Sequence, residues 1–366
     1  MINKLLQSDI FNHFKALHLF HSMAIIMFKA LIQKTIPSKK RYQILLGLAV
    51  VLASTYLLGP RPKKPVFHTN LPDVPDLDAL DGFISEHESH LNIKPGNEAE
   101  IVWADEPGLQ TEYAIVYLHG FSSSKVEGDP IHRQLAKKLK ANLFLPRLAE
   151  HGLDTAAPLQ YFTADKLWES CKQAYAISRK LGKKVILIGT STGASMALKL
   201  AATYPFIHSL ILISPNIEIN DRNAWMLNDP WGLQIARRVL GSDERTTDGR
   251  TEEFKKYWYT SYRIEALVEL QELVESTMTR KLFHLVKQPV LMLYYYKNEL
   301  EQDPTVRVKA MLKMFLQLGS AIKRKVAIPE GAHHVLGSYV TSKDLPAVEK
   351  EIDAFMSHLI SGYKNS

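Results

Sequence analysis

The chain has 366 residues, 46% of them hydrophobic, enough for one large or two small domains. Its net charge of +7 is uneven: residues 1–64 hold ten Lys/Arg against the single acid Asp9, leaving 35 basic and 37 acidic residues on the rest. The globular part is therefore close to neutral, the basic balance does not announce a nucleic-acid partner, and a lone cysteine, Cys171, excludes an intrachain disulfide and a Cys-rich metal site.

In chain order, residues 1–36 read either as an interfacial amphipathic helix over Ile10–Ile32 or, more plainly, as a stretch ahead of a start at Met23 or Met27. Gln43–Leu58 is uncharged and mostly apolar, with Lys39-Lys40-Arg41 before it and Arg61, Lys63 and Lys64 after it. A signal-peptide core is one reading. The run continues through Tyr56-Leu57-Leu58 beyond its small residues, which favours an uncleaved membrane anchor spanning about 43–58. Positive charge is denser before the span, which places the globular part outside the cytoplasm. Pro65–Pro75 is proline-rich and reads as a linker, with residues 65–97 as linker and domain entry.

From residue 98 onward, short apolar runs alternate with longer helical patterns. Strands are expected at Glu100–Ala104, Ala114–Leu118, Asn142–Pro146, Lys184–Ile188, Ser209–Ile213, Val290–Tyr295 and Lys325–Ile328. Helices are expected at Pro130–Lys140, Ala164–Leu181, Ser191–Tyr204, Thr305–Leu318 and Leu345–Ile360. The alternation predicts an α/β fold over residues 98–366, with a mostly parallel sheet and helices on both faces. In such sheets ligands bind at the carboxyl ends of the strands. About seventy-five residues separate Ile213 from Val290, too many for a simple crossover, so a helical cap is expected at about 215–288. Its Trp225, Trp231, Trp258, Tyr257, Tyr259 and Tyr262 read first as cap core; with Met226 and Leu227 they could line an apolar pocket. Arg237-Arg238 read as a solvated helix face.

The most informative stretch is Lys184–Ala197, where a β-branched run enters Gly189-Thr190-Ser191-Thr192-Gly193 and a small-residue helix follows. A strand-to-helix turn this sharp leaves no room for side chains two positions either side of the serine, hence Gly189 and Gly193. It lifts the Ser191 hydroxyl above the sheet and turns the Thr192 N–H toward the reacting oxygen at the positive end of a helix. The bland alternative is a small-residue turn with a buried serine. Acyl transfer by a serine also needs a base, an acid to orient that base, and further oxyanion donors. The other strand ends offer His119-Gly120-Phe121, the carboxylates Glu299, Glu301 and Asp303, and the adjacent pair His333-His334. Asp303 ahead of Pro304 is equally well placed to cap a helix.

His119-Gly120-Phe121, Glu127-Gly128-Asp129-Pro130, Arg147-Leu148-Ala149-Glu150-His151-Gly152, the serine pentad and His334 together resemble the α/β-hydrolase superfamily, from about residue 98 to the C-terminus. The Arg-Leu-x-x-His-Gly element is similar to the monoglyceride-lipase and lysophospholipase-like branch, which includes serine-aminopeptidase-like members. The resemblance implies oxyanion N–H groups from Phe121 and Thr192, with His119 shaping the loop. It selects His334 as base over His333, because a small apolar residue follows, and Asp303 as acid through Asp-x-x-Val, with Glu299 and Glu301 as rivals. Two positions depart from the pattern: Asn298 falls where the acid usually stands, and Thr190 where the branch more often has histidine. The activity implied is a serine hydrolase cleaving carboxylic esters, lipid-like or acylglycerol-like, through an acyl-enzyme on Ser191, with no cofactor or metal. A peptidase or amidase with the same residues, or a silent scaffold serving as an anchored binding protein, are the alternatives.

Overall fold

The computed structural model describes residues 38–364; the reading of residues 1–36 lies outside them. Strands are β1 (Glu100–Val102), β2 (Thr111–Leu118), β3 (Asn142–Leu145), β4 (Gly182–Thr190), β5 (Ser209–Ile213), β6 (Glu244–Thr246), β7 (Ser261–Arg263), β8 (Val290–Tyr294) and β9 (Lys323–Ala327). Helices are α1 (Ser38–Leu57), α2 (Leu80–Ser89), α3 (Ile131–Leu139), α4 (Ala164–Leu181), α5 (Thr192–Thr203), α6 (Gly232–Leu240), α7 (Glu252–Tyr257), α8 (Ile264–Thr277), α9 (Arg280–Leu285), α10 (Val308–Gln317) and α11 (Leu345–Lys364). These residues divide into two compact units: the chain up to Pro62 with Met226–Asp243, and Lys63–Trp225 with the chain from Glu244 on.

In the larger unit the sheet order is β1-β3-β2-β4-β5-β8-β9, with β1 antiparallel to β3 and every other pair parallel. This is the mostly parallel α/β architecture the alternation implies. Both faces are covered, so successive side chains of one strand enter opposite cores. Val116 and Leu118 lie in one core with Leu167 and Trp168 of α4, Met196 of α5 and Met311 of α10. Ile115, Tyr117, Ile186 and Ile188 lie in the other with Leu135 of α3 and Ile352 and Phe355 of α11. Helix α4 starts where Thr163 accepts the Lys166 N–H at 3.2 Å, and buries the stripe Leu167, Cys171, Ala174, Ile177, Leu181.

Within residues 65–97, read as linker and domain entry, lies α2, whose Leu80 and Ile84 are buried in the first core. The segment before it lies along α4 and α5. Trp168 Nε1–H donates to the His68 carbonyl at 2.7 Å, Lys172 Nζ to that of Asn70 at 2.8 Å, and Lys199 sits over the Phe67 ring at 3.8 Å.

The smaller unit overturns the anchor expected at 43–58. No helix among the described residues is long and apolar enough to cross a membrane. Helix α1 begins within the cationic cluster, taking Lys39, Lys40 and Arg41 into its first turn. Only Tyr42–Leu57 is uncharged, about 24 Å of helix at 1.5 Å per residue, short of a hydrocarbon core of about 30 Å. Its end serves protein contacts instead. The Trp231 indole donates to the Thr55 carbonyl at 3.0 Å, and the Trp231 N–H donates to the Pro60 carbonyl at 2.9 Å. The membrane span, the membrane as partner, and the extracytoplasmic placement inferred from them are withdrawn.

Candidate active site

Strand β4 runs into Ser191 at φ 54° and ψ −119°, and α5 starts at the next residue. A side-chain-bearing residue in the positive-φ region is strained and persists only where its surroundings hold it. Here the Ser191 N–H donates to the Ile213 carbonyl at 2.9 Å, and the Ser195 N–H returns to the Ser191 carbonyl at 3.1 Å. A Cβ on Gly189 would stand 2.6 Å from the Gly193 carbonyl oxygen, and one on Gly193 only 1.9 Å from that of Leu118. The two glycines let the turn pass beneath the end of β2. The Thr192 N–H is one of the first-turn donors of α5 that an α-helix leaves without an internal acceptor.

The loop after β2 is held by two buried histidines. The Leu148 N–H donates to His119 Nε2 at 3.1 Å, which leaves the proton on Nδ1, and that N–H donates to the Gly120 carbonyl at 2.9 Å. In a trans peptide the C=O and the following N–H point opposite ways, so this bond also orients the Phe121 N–H. By the same logic the Ser122 N–H donates to His151 Nε2 at 3.1 Å while His151 Nδ1–H donates to the Ala149 carbonyl at 2.8 Å. Burial holds both imidazoles neutral, lowering His151 to about 4 and His119 well below its usual value. The Phe121 ring packs edge-on against Phe162 and Tyr262, with centroids 5.3 and 5.1 Å away.

Beyond β8 the chain makes a small exposed loop before it turns back inward. Asn298 Oδ1 accepts the N–H groups of Leu300 and Glu301, Asn298 Nδ2 donates to Glu301 at 2.9 Å, and Glu299 accepts from the Tyr296 hydroxyl at 3.0 Å. All three lie in solvent. Asp303, by contrast, is buried, and its Oδ2 accepts from His334 Nδ1–H at 2.7 Å. Its Oδ1 accepts the N–H groups of Thr305 at 2.8 Å and Val306 at 3.1 Å. Helix α10 starts only at Val308, so Asp303 closes a turn rather than capping that helix. Burial works to raise the Asp303 carboxyl, but His334 and the two N–H donors outweigh it and leave the pKa lowered. Burial likewise works to depress His334; the charge and hydrogen bond of Asp303, with a contribution from Glu127, hold it above the ordinary histidine value. His334 Nε2 is buried with no hydrogen-bond partner among the described residues. His333 accepts the Val335 N–H at 3.0 Å and is pushed by burial to about 4. Of the two neighbours, only His334 is bonded to Asp303.

Two features carry no role in the sequence reading. Glu127, within the Glu-Gly-Asp-Pro element, is buried beneath the loop after β2 and accepts the Gly120 N–H. His151, within Arg-Leu-x-x-His-Gly, clamps Ser122. Both elements stand out in the sequence, but it does not show which backbone groups their side chains meet. Among the described residues no group of three His, Cys, Asp or Glu is placed to hold a metal ion.

Residues 115–340 match a family model described as the alpha/beta hydrolase family. No curated protein matches the chain. Among solved structures it is similar to one from a study of LipS and LipT, two metagenome-derived lipolytic enzymes. That likeness has a TM-score of 0.58 and 17% identity, covering 73% of this chain and 99% of the other. It is also similar to a monoacylglycerol lipase of Paleococcus ferrophilus, with a TM-score of 0.52 and 15% identity, covering 71% of this chain and 98% of the other.

Proposed function

This chain belongs to the alpha/beta hydrolase family, and on that footing we propose that it hydrolyses carboxylic esters through an acyl-enzyme on Ser191. The observation that carries the reading is the buried His334–Asp303 pair at 2.7 Å, set at the same carboxyl edge of the sheet as a serine held at positive φ. His334 Nε2 takes the Ser191 proton as the hydroxyl oxygen attacks the acyl carbonyl, and Asp303 stabilises the imidazolium that forms. The N–H groups of Phe121 and Thr192 receive the developing oxyanion. His334 then returns the proton to the leaving alcohol, and water, deprotonated in turn by His334, releases the acid and frees Ser191.

The substrates we propose are lipid-like or acylglycerol-like esters. Support comes from the Arg-Leu-x-x-His-Gly resemblance and from the aromatic wall of Phe121, Phe162 and Tyr262 beside the oxyanion loop. The structural neighbours, one lipolytic and one a monoacylglycerol lipase, agree with this at the level of fold. Labelling by a fluorophosphonate probe tests the mechanism: wild type is labelled and Ser191→Ala is not. Persistent labelling of the alanine variant sinks the nucleophile assignment.

A further inference from the structure

Among the described residues, the carboxyl of Glu127 is a buried acid beside Ser191 that the proposed mechanism leaves unused. It accepts the backbone N–H of Gly120, and its Oε2 lies 3.2 Å from the Tyr117 hydroxyl. That hydroxyl lies 2.9 Å from Thr190 Oγ1, and Thr190 immediately precedes the serine. Each hydroxyl has one proton, so when Glu127 is ionised Thr190 donates to Tyr117 and Tyr117 donates to Glu127. All three side chains are buried. Gly120 is wedged between the acid and the nucleophile: a Cβ there would stand 2.8 Å from Glu127 Oε1 and 3.1 Å from Ser191 Cβ. One carboxylate thus ties the oxyanion loop to the nucleophile turn, through the threonine that stands where histidine is more usual.

We propose that Glu127 is a positioning residue of this site, whose carboxylate pins the Gly120 peptide and the Thr190–Ser191 turn together and gives His334 a second negative charge as it becomes imidazolium. The proposal rests on the serine-hydrolase reading above.

The groups facing Glu127 are Tyr117 from β2, Ser123 and the Gly120 N–H from the oxyanion loop, and His334 from the loop after β9. His132 of α3 packs edge-on against the Tyr117 ring, with centroids 4.9 Å apart. Burial pushes the Glu127 carboxyl up to about 7, against the Gly120 N–H and His334, which favour its charged form. Glu127 and His334, the latter raised above its ordinary value, therefore gain and lose protons as an interacting pair. Both must be deprotonated for fast attack: His334 to accept a proton, Glu127 to favour the imidazolium that results.

The test is the rate of fluorophosphonate labelling against pH for the full-length wild type and Glu127→Gln. Glutamine keeps an acceptor for the Gly120 N–H but removes the charge. The expected plateau loss is roughly tenfold, less than the 10²–10³ of deleting an oxyanion donor outright. The acid limb should also move to lower pH and simplify to one ionisation, because His334 loses an anion that raises it. A merely structural role would lower the plateau and leave the limb in place. A Glu127→Gln profile that superimposes on wild type overturns this proposal alone; absence of Ser191-dependent labelling in the wild type overturns the hydrolase reading and this inference with it. Should Glu127→Gln fail to fold, Tyr117→Phe decides the link to Thr190. It keeps the carboxylate and should slow labelling several-fold with the two-ionisation limb retained, and wild-type rates in that variant overturn the link.

Discussion

Asp303 divides its two oxygens between two tasks: Oδ2 holds His334 Nδ1 at 2.7 Å while Oδ1 closes the turn onto the N–H groups of Thr305 and Val306. A helix cap and a histidine partner look like competing roles in sequence. In three dimensions a carboxylate has enough lone pairs for both, and the turn bonds fix the plane in which Oδ2 meets the imidazole.

Asp303→Asn should keep that turn, since the amide oxygen still accepts, and should disturb the histidine. We expect ester turnover to fall by about 10³–10⁴-fold, as when the acid of a Ser-His-Asp triad is replaced by asparagine, with melting temperature little changed. Turnover of p-nitrophenyl acetate within tenfold of wild type would remove Asp303 from the triad.

Asn298→Asp provides the converse. It restores the usual acid at the usual place, yet Asn298 sits in an exposed turn bonded to Leu300 and Glu301. Activity should stay within about twofold of wild type, the range of surface substitutions. It should not rescue Asp303→Asn, and rescue in the double variant would show that the loop can present either residue.

The pH profile follows from the raised His334. A general base works when neutral, and its pKa in the folded protein lies above the ordinary 6.5. Activity should therefore be lost as pH falls through a midpoint above 6.5, measured as kcat/KM, which reports the free enzyme. A midpoint below 6 contradicts the Asp303 contact.

Gly193→Ala should abolish the fold of the turn rather than merely slow the chemistry. The added Cβ meets the Leu118 carbonyl at 1.9 Å, and that oxygen belongs to a central strand that cannot yield. A loss of about 3 kcal/mol or more is expected, seen as a large drop in melting temperature or as insoluble protein. Near-wild-type melting would mean that the helix start is displaced from the described geometry.

Acid should destabilise the chain through its neutral buried histidines. His132 is held near 3 and His151 near 4, both by burial, below their ordinary 6.5. A histidine depressed in the folded state supports stability above 6.5; that support is lost as pH falls from there toward the folded value. Each such group costs on the order of 1 kcal/mol per pH unit across that window. Denaturant midpoints at pH 7.5, 6 and 5 should decline accordingly, and a flat series would argue that these rings are solvated.

Ser191 and its flanking glycines were legible in the chain because the elbow is local: strand, turn and helix are contiguous, and steric exclusion acts within five residues. The sheet was legible for a related reason, since β-branched runs covered on both faces are apolar throughout and strand β5 coincides with its apolar run at Ser209–Ile213. The 43–58 segment misled because apolarity is scored without its partners; its helix draws in three cations, and its end accepts bonds from Trp231.

Residue types and their local spacing, then, determined a mostly parallel α/β sheet, the sharp strand-to-helix turn at Ser191 and two adjacent histidines. Family resemblance already pointed to His334 and Asp303; only the tertiary structure showed the two bonded to each other, Asn298, Glu299 and Glu301 in solvent, and Glu127 under Gly120. Those choices depend on which distant groups share a buried volume. There, a hydrogen bond or charge unmatched by a partner costs far more than it does in water, and no window along the sequence contains both partners.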